Sequence, residues 1–168
     1  MIDDVTGLPS QPLVFDRLEE ELHRGRRYGR PLSVLMLDVD GLKQVNQETH
    51  RLFGSFVLRE IGELFLRTFR RCDTVYRFES DQFVVILPET RTEHAWIAAE
   101  RVRRTVGERE FSSPPWSVHM TISAGVGGST GGKDETARDL IRSLDQAVDR
   151  AKRQGRNRCE LAAPLAAP

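Results

Sequence analysis

Leu32-Ser33-Val34-Leu35-Met36-Leu37-Asp38-Val39-Asp40 is the stretch that decides the fold. Its apolar run is nearly continuous, short for a helix and without a helical period, which predicts a strand buried on both faces. It starts behind a Gly29-Arg30-Pro31 break and ends abruptly in two carboxylates. Upstream, Leu13, Phe15, Leu18 and Leu22 recur at helical spacing behind a turn-rich lead-in, Asp3-Asp4-Val5-Thr6-Gly7-Leu8-Pro9-Ser10. Downstream, a short helix is expected over residues 42–47 and a longer one through Phe56, Val57, Leu58, Ile61, Leu64, Phe65 and Phe69. Residues 74–78 and 83–87 read as strands, and Glu79-Ser80-Asp81-Gln82 between them makes the pattern of a β-hairpin.

A helix with Ala95, Ile97, Ala98, Val102 and Val106 follows, then a loop over residues 112–115. Val118, Met120 and Ile122 alternate with polar neighbours, which predicts one half-buried strand. Residues 127–132 read as a flexible glycine loop, Leu140, Leu144, Ala147, Val148 and Ala151 as a last helix, and residues 157–161 as a short edge strand. This order predicts a single α/β domain over residues 1–161, with helices flanking a central, largely antiparallel sheet, and a disordered tail over 162–168.

The 168 residues carry 25 Lys plus Arg and 25 Asp plus Glu, so the net charge is zero and any anion site must be local. The balance argues against a nucleic-acid or lipid partner. Cys72 and Cys159 have no metal-type spacing, and the histidines form no H-x-x-x-H pair. No apolar run is long enough to span a membrane and no signal peptide opens the chain, so a cytoplasmic location is expected.

Four clusters bear chemistry, and each has a bland alternative. Asp38 and Asp40 fall on one side if the strand continues, where they would hold Mg²⁺ with a triphosphate, or else simply end a strand and cap a helix. The turn at Glu79-Ser80-Asp81-Gln82 offers metal ligands, or only good turn residues. Lys152 and Arg156, four apart at a helix end, would share a face and grip phosphates, or only complement the helix dipole. Arg70-Arg71-Cys72-Asp73 would bind a guanine edge and a phosphate, or is a solvated charge cluster.

In order and spacing these clusters resemble the GGDEF (diguanylate cyclase) family. Asp4-Val5-Thr6-Gly7-Leu8-Pro9 is similar to its opening D-x-L-T-G-L-P, and Asp38-Val39-Asp40-Gly41-Leu42-Lys43-Gln44-Val45-Asn46 to its D-x-D-x-F-K-x-x-N block. Arg77-Phe78-Glu79-Ser80-Asp81-Gln82-Phe83 stands in place of R-Y-G-G-D-E-F. Ala99-Glu100-Arg101-Val102-Arg103, Thr121-Ile122-Ser123-Ala124-Gly125-Val126 and Ala151-Lys152-Arg153-Gln154-Gly155-Arg156-Asn157 resemble three further family segments. The resemblance implies a nucleotide-cyclase and polymerase-palm-like fold, and, in active members, a dimer joining two GTP molecules into cyclic di-GMP. It implies metal (Mg²⁺ where GTP binds) at Asp38 and Asp81, guanine contact at Asn46 and at the position of Ser55, and phosphate contact at Lys152 and Arg156. It also implies an inhibitory cyclic di-GMP site at Arg70, Asp73 and Arg101.

The departures fall in the signature. Glu79 and Ser80 replace the two glycines that let the backbone approach the nucleotide, and Glu79 brings a negative charge costing about 1–4 kcal/mol per close charge contact. Gln82 replaces a glutamate, and an amide neither neutralises a metal nor acts as a base. Ser55 stands for an aspartate and cannot accept two guanine N–H bonds as a carboxylate does, which hints at a changed base preference. The expectation is therefore a catalytically inactive domain that binds cyclic di-GMP for an attached signalling domain or partner. The alternatives are a weak or altered-specificity dinucleotide cyclase and a GTP-binding or homodimerising module.

Overall fold

The computed structural model describes residues 1–164 of the chain. Helix α1 (Gln11–Tyr28) leads into β1 (Leu32–Val39), followed by α2 (Leu42–Glu48), α3 (Arg51–Thr68), β2 (Thr74–Arg77) and β3 (Gln82–Pro88). Then come α4 (Thr92–Glu108), β4 (Glu110–Ser113), β5 (Trp116–His119), β6 (Ile122–Gly128), α5 (Ala137–Arg153) and β7 (Cys159–Leu161). Five strands make the main sheet in the order β2-β3-β1-β6-β7, with β1 antiparallel to both β3 and β6 and only β7 parallel to its neighbour. A central, largely antiparallel sheet flanked by helices is thus the architecture that the element order predicts.

The period of two in β1 sorts its side chains between the layers. Leu35, Leu37 and Val39 join the core built with Val57, Ile61 and Phe65 of α3 and Ala99 and Val102 of α4. Leu32, Val34 and Met36 join the core of Leu18 and Leu22 of α1 and Leu140, Leu144 and Val148 of α5. All eight β1 residues are buried, as expected of a strand covered on both faces. In the larger core the Phe65 ring meets Phe83 edge-on at 5.1 Å, a favoured aromatic geometry.

Several local expectations change. The alternation over residues 118–122 is not one strand. β5 ends at His119 and pairs only with β4 in a separate two-stranded hairpin, whereas β6 begins at Ile122 in the main sheet. Met120 is buried between them, so the in–out rhythm survives the change of sheet and hides it. Nor are Gly127 and Gly128 loop: they are the last residues of β6. A Cβ on Gly128 would come within 2.6 Å of the Leu32 carbonyl, so glycine serves close packing there, not flexibility. In the expected tail, the Ala162 amide bonds to the Val126 carbonyl at 2.7 Å and the Ala163 carbonyl accepts from the Ser143 hydroxyl at 2.8 Å. The rest of that tail, 165–168, lies outside the described residues.

Candidate nucleotide cleft and second anion cavity

The even register that sends Met36 toward α5 sends Asp38 the same way. Its buried carboxylate meets the Lys152 ammonium at 2.7 Å. Gln82 lies directly across from Asp38 in the β1–β3 ladder, and its amide donates to Asp38 Oδ2 at 3.2 Å. Burial pushes the Asp38 carboxyl above its ordinary range, Asp81 adds to the rise, and Lys152 and Gln82 oppose it. Burial also works against the Lys152 charge, but the bond to Asp38 outweighs it and holds the ammonium above its ordinary range.

Asp40 does not join Asp38. The strand stops at Val39, and the Asp40 carboxylate accepts from Thr121 Oγ1 and Ser123 Oγ, each at 2.7 Å, and from the Asn157 amide at 3.2 Å. It ties the end of β1 to β6 and to the turn after α5. The phosphate pair also departs from helical spacing. α5 ends at Arg153, and Gly155, Arg156 and Asn157 all have left-handed backbone, φ 113°, 64° and 47°. That turn, not a shared helix face, brings Arg156 alongside Lys152.

Asp38, Asp81, Lys152 and Arg156 then line one cleft of about 440 Å³, with Lys43, Gln44 and Gln47 on its far wall. Lys43, Gln44 and Gln47 are lining residues that pattern alone did not single out, since α2 is too short to show a polar face. Asn46 sits on the same helix but does not line the cleft. Its Oδ1 is buried without a hydrogen-bond partner, in a space that exists because residue 54 is glycine: a Cβ there would lie 1.7 Å from it. Ser55 follows on α3, half-buried.

The signature turn is held from behind. Arg77 Nε donates to the Glu79 carbonyl at 2.7 Å, Nη2 to the Ser80 carbonyl and Nη1 to Asp3 Oδ1 at 3.3 Å, with the guanidinium over the Phe83 ring. The Asp81 carbonyl accepts from the Val39 amide at 2.9 Å, docking the turn onto the end of β1. Neither Glu79 nor Ser80 has a positive φ, so the turn itself does not require the missing glycines. The Glu79 side chain lines a separate recess with Phe15, Phe78, Arg138 and Arg142, not the cleft, which corrects the expectation that its charge meets the phosphates.

Asp38 and Asp81 fit one Mg²⁺ that arrives with a triphosphate, since this ion commonly takes one or two carboxylates and completes its shell from phosphate and water. They do not make a standing metal centre. The third acidic position is the amide of Gln82, and no cluster of three His, Cys, Asp or Glu ligands occurs among the described residues. The cleft can bind a nucleotide's phosphates; Gln82 supplies no base.

At the opposite end of β3 a second cavity, of about 240 Å³, brings together Arg70, Asp73 and Arg101, with Thr90 and His94 beside them. Arg70 grips the nearly buried Asp73 carboxylate through Nε at 3.2 Å and Nη2 at 3.0 Å, and its own backbone amide bonds the same carboxylate at 2.9 Å. Nη2 also reaches Thr90 Oγ1 at 2.6 Å. The bond to Asp73 holds the Arg70 guanidinium above its ordinary range. Nη1 has no partner among the described residues. Arg101 enters from α4 and is exposed, with no side-chain partner among the described residues.

No described helix is long and apolar enough to cross a membrane. The family model "Diguanylate cyclase, GGDEF domain" matches residues 1–158. The chain is 35% identical over 162 residues to "Diguanylate cyclase DgcP" of Pseudomonas aeruginosa, covering 96% of this chain and 24% of that one. Among solved structures it is similar to diguanylate cyclase SiaD of Pseudomonas aeruginosa, crystallised with its activator SiaC. There the identity is 34% and the TM-score 0.90, over 96% of this chain and 61% of that one. The isolated GGDEF domain of PA1120 from the same organism gives 27% identity and a TM-score of 0.91 over 97% and 95% of the two chains. The chain thus spans about a quarter of DgcP's length. With the family model matched over residues 1–158 and 35% identity to DgcP across 96% of the chain, the chain belongs to the GGDEF (diguanylate cyclase) domain family.

Proposed function

We propose that this domain is a cyclic di-GMP receptor in second-messenger signalling that does not itself turn over GTP. The observation behind this is the cavity of Arg70, Asp73 and Arg101. Arg70 is oriented by a bidentate bond to Asp73 and leaves Nη1 without a partner among the described residues, and Arg101 supplies an uncompensated charge. An oriented guanidinium is suited to the O6 and N7 acceptors of guanine, and a second cation to a phosphodiester. Loss of turnover is supported by Gln82, whose amide is spent on Asp38 where the family has a glutamate. The domain would report the ligand to whatever it is joined to or to a second copy of itself.

Calorimetric titration with cyclic di-GMP tests this, with Arg101→Ala as the cleaner variant because Arg101 holds no other side chain. Micromolar or tighter binding that Arg101→Ala weakens at least tenfold is the expected result, and Arg70→Ala should abolish it. No binding by the wild-type domain overturns the proposal. So does cyclic product from Mg²⁺-GTP above that of an Asp38→Ala control.

A second reading has its own support. The cleft keeps Asp38, Asp81, Lys152 and Arg156, and the buried Asn46 Oδ1 is an acceptor awaiting a donor. These favour a domain that also holds GTP, and Mg²⁺ where GTP binds. A thermal upshift with Mg²⁺-GTP that Lys152→Ala removes is the outcome this reading expects.

A further inference from the structure

We infer that the cleft of Asp38, Lys152 and Arg156 holds a nucleoside triphosphate without needing a divalent ion, and that Gln82 is the residue that sets this. The inference rests on the GTP-holding reading above and concerns what neutralises the phosphates there. Both donors that reach Asp38 fall on one oxygen. Lys152 Nζ lies 2.7 Å from Oδ2, and Gln82 Nε2 donates to the same Oδ2 at 3.2 Å. The Lys152 side chain thus stands against the buried carboxylate as its resident counter-ion. An amide beside it adds a donor, where a glutamate would add a further acceptor. A lysine ammonium has three N–H donors, so the bond to Asp38 leaves two for phosphate oxygens.

The charges around the cleft agree with this. Lys43, Lys152 and Arg156 line it against Asp38, Asp40 and Asp81, so its formal charges balance. Asp40 turns its carboxylate to Thr121, Ser123 and the Asn157 amide, where it closes the end of β1. Lys43 and Arg156 are exposed and have no side-chain partner among the described residues. An incoming triphosphate therefore meets two unpaired cations and a lysine already in place. A glutamate at 82 would set another carboxylate against Asp38, and the acid excess would call for a bound cation before phosphates could enter. Gln82 keeps nearly the same shape without that charge. Asp38 and Asp81 still accommodate a magnesium ion carried in on the triphosphate, but affinity does not depend on it.

The test is calorimetric titration of the domain with GTP, in excess EDTA and again in millimolar Mg²⁺, for wild type, Gln82→Glu and Gln82→Ala. Circular dichroism confirms that each variant is folded. One charge at close range changes binding by about tenfold or more. Wild-type affinity should differ by less than about threefold between the two conditions, because no unneutralised carboxylate awaits the metal. Gln82→Glu should bind about tenfold more weakly than wild type in EDTA and regain most of that loss in Mg²⁺. Gln82→Ala removes the amide without adding a charge, so it should stay as independent of Mg²⁺ as wild type. Wild-type binding that needs Mg²⁺ overturns this inference and leaves the GTP reading standing. So does Gln82→Glu binding in EDTA as tightly as wild type, or Gln82→Ala becoming as dependent on Mg²⁺ as Gln82→Glu. Absence of GTP binding by the wild-type domain in both conditions overturns both.

Discussion

Replacing Arg77 with alanine should loosen the signature turn and the lead-in together, because one guanidinium holds both. It is buried, and it donates to the carbonyls of Glu79 and Ser80 and to Asp3, while its plane covers Phe83. A hydrogen bond from a charged donor contributes about 1.5–3 kcal/mol, and there are three acceptors here. Against that stands the guanidinium's own desolvation, which pulls its pKa below the ordinary value although Asp3 and Asp81 oppose it. Truncation removes that burden as well, so the net loss is about 2–4 kcal/mol. For a domain of this size that is a fall in Tm of about 5–12 °C. Thermal unfolding by circular dichroism measures it. Arg77→Lys should recover less than half, because an ammonium cannot fork to three acceptors. A fall under about 2 °C for Arg77→Ala, or full recovery by lysine, would refute the view that the turn is held by this fork.

Gly125→Ala should cost about 1–3 kcal/mol, since its Cβ would lie 2.6 Å from the Leu144 carbonyl and 3.2 Å from the Ala147 Cβ, wedging β6 off α5; urea unfolding reads the loss. Phe65→Ala should cost about 3–5 kcal/mol through the cavity left against Phe83 and Phe69. Burial opposes the ionisation of Asp3, but the hydroxyl and amide of Thr6 and the charge of Arg77 outweigh it and hold its carboxyl below the ordinary range. The stability it contributes is thus present above its unfolded pKa of about 3.9 and lost as pH falls through the lower folded value, so Asp3→Asn should flatten the acid limb of Tm against pH below about pH 4. Gln82→Glu sets a third carboxylate beside Asp38 and Asp81. It should lower Tm without metal, and millimolar Mg²⁺ should restore part of the loss, while an unchanged Tm in both conditions would remove the carboxylate cluster from the account.

Most of the architecture could be read from residue pattern because the deciding elements are regular. β1 is a nearly continuous apolar run bounded by Pro31 and Asp40, and α1 is capped by Gly29, whose φ of 63° suits glycine. What could not be read depends on where the chain changes direction. Met120 keeps the alternation going across a change of sheet. Asp38 and Asp40 look equivalent in the sequence, yet one faces α5 and the other is taken by Thr121, Ser123 and Asn157, since the strand ends between them. Arg156 reaches the cleft by a left-handed turn that helical spacing does not describe. Gln82 and Asp38 are 44 residues apart, and only the β1–β3 register makes them neighbours.

β3 has a consequence for how the two anion sites affect one another. Gln82 at its start touches the Asp38 cleft, and Pro88 at its end leads into the cavity of Arg70. Seven residues of extended chain put roughly 20 Å between these ends, more than twice the screening length of about 8 Å in physiological salt. The strand therefore acts as an insulator. At that separation, direct charge repulsion between anions held at its two ends would be largely screened, so any influence of one end on the other must travel through the packing of the strand and not through its charges.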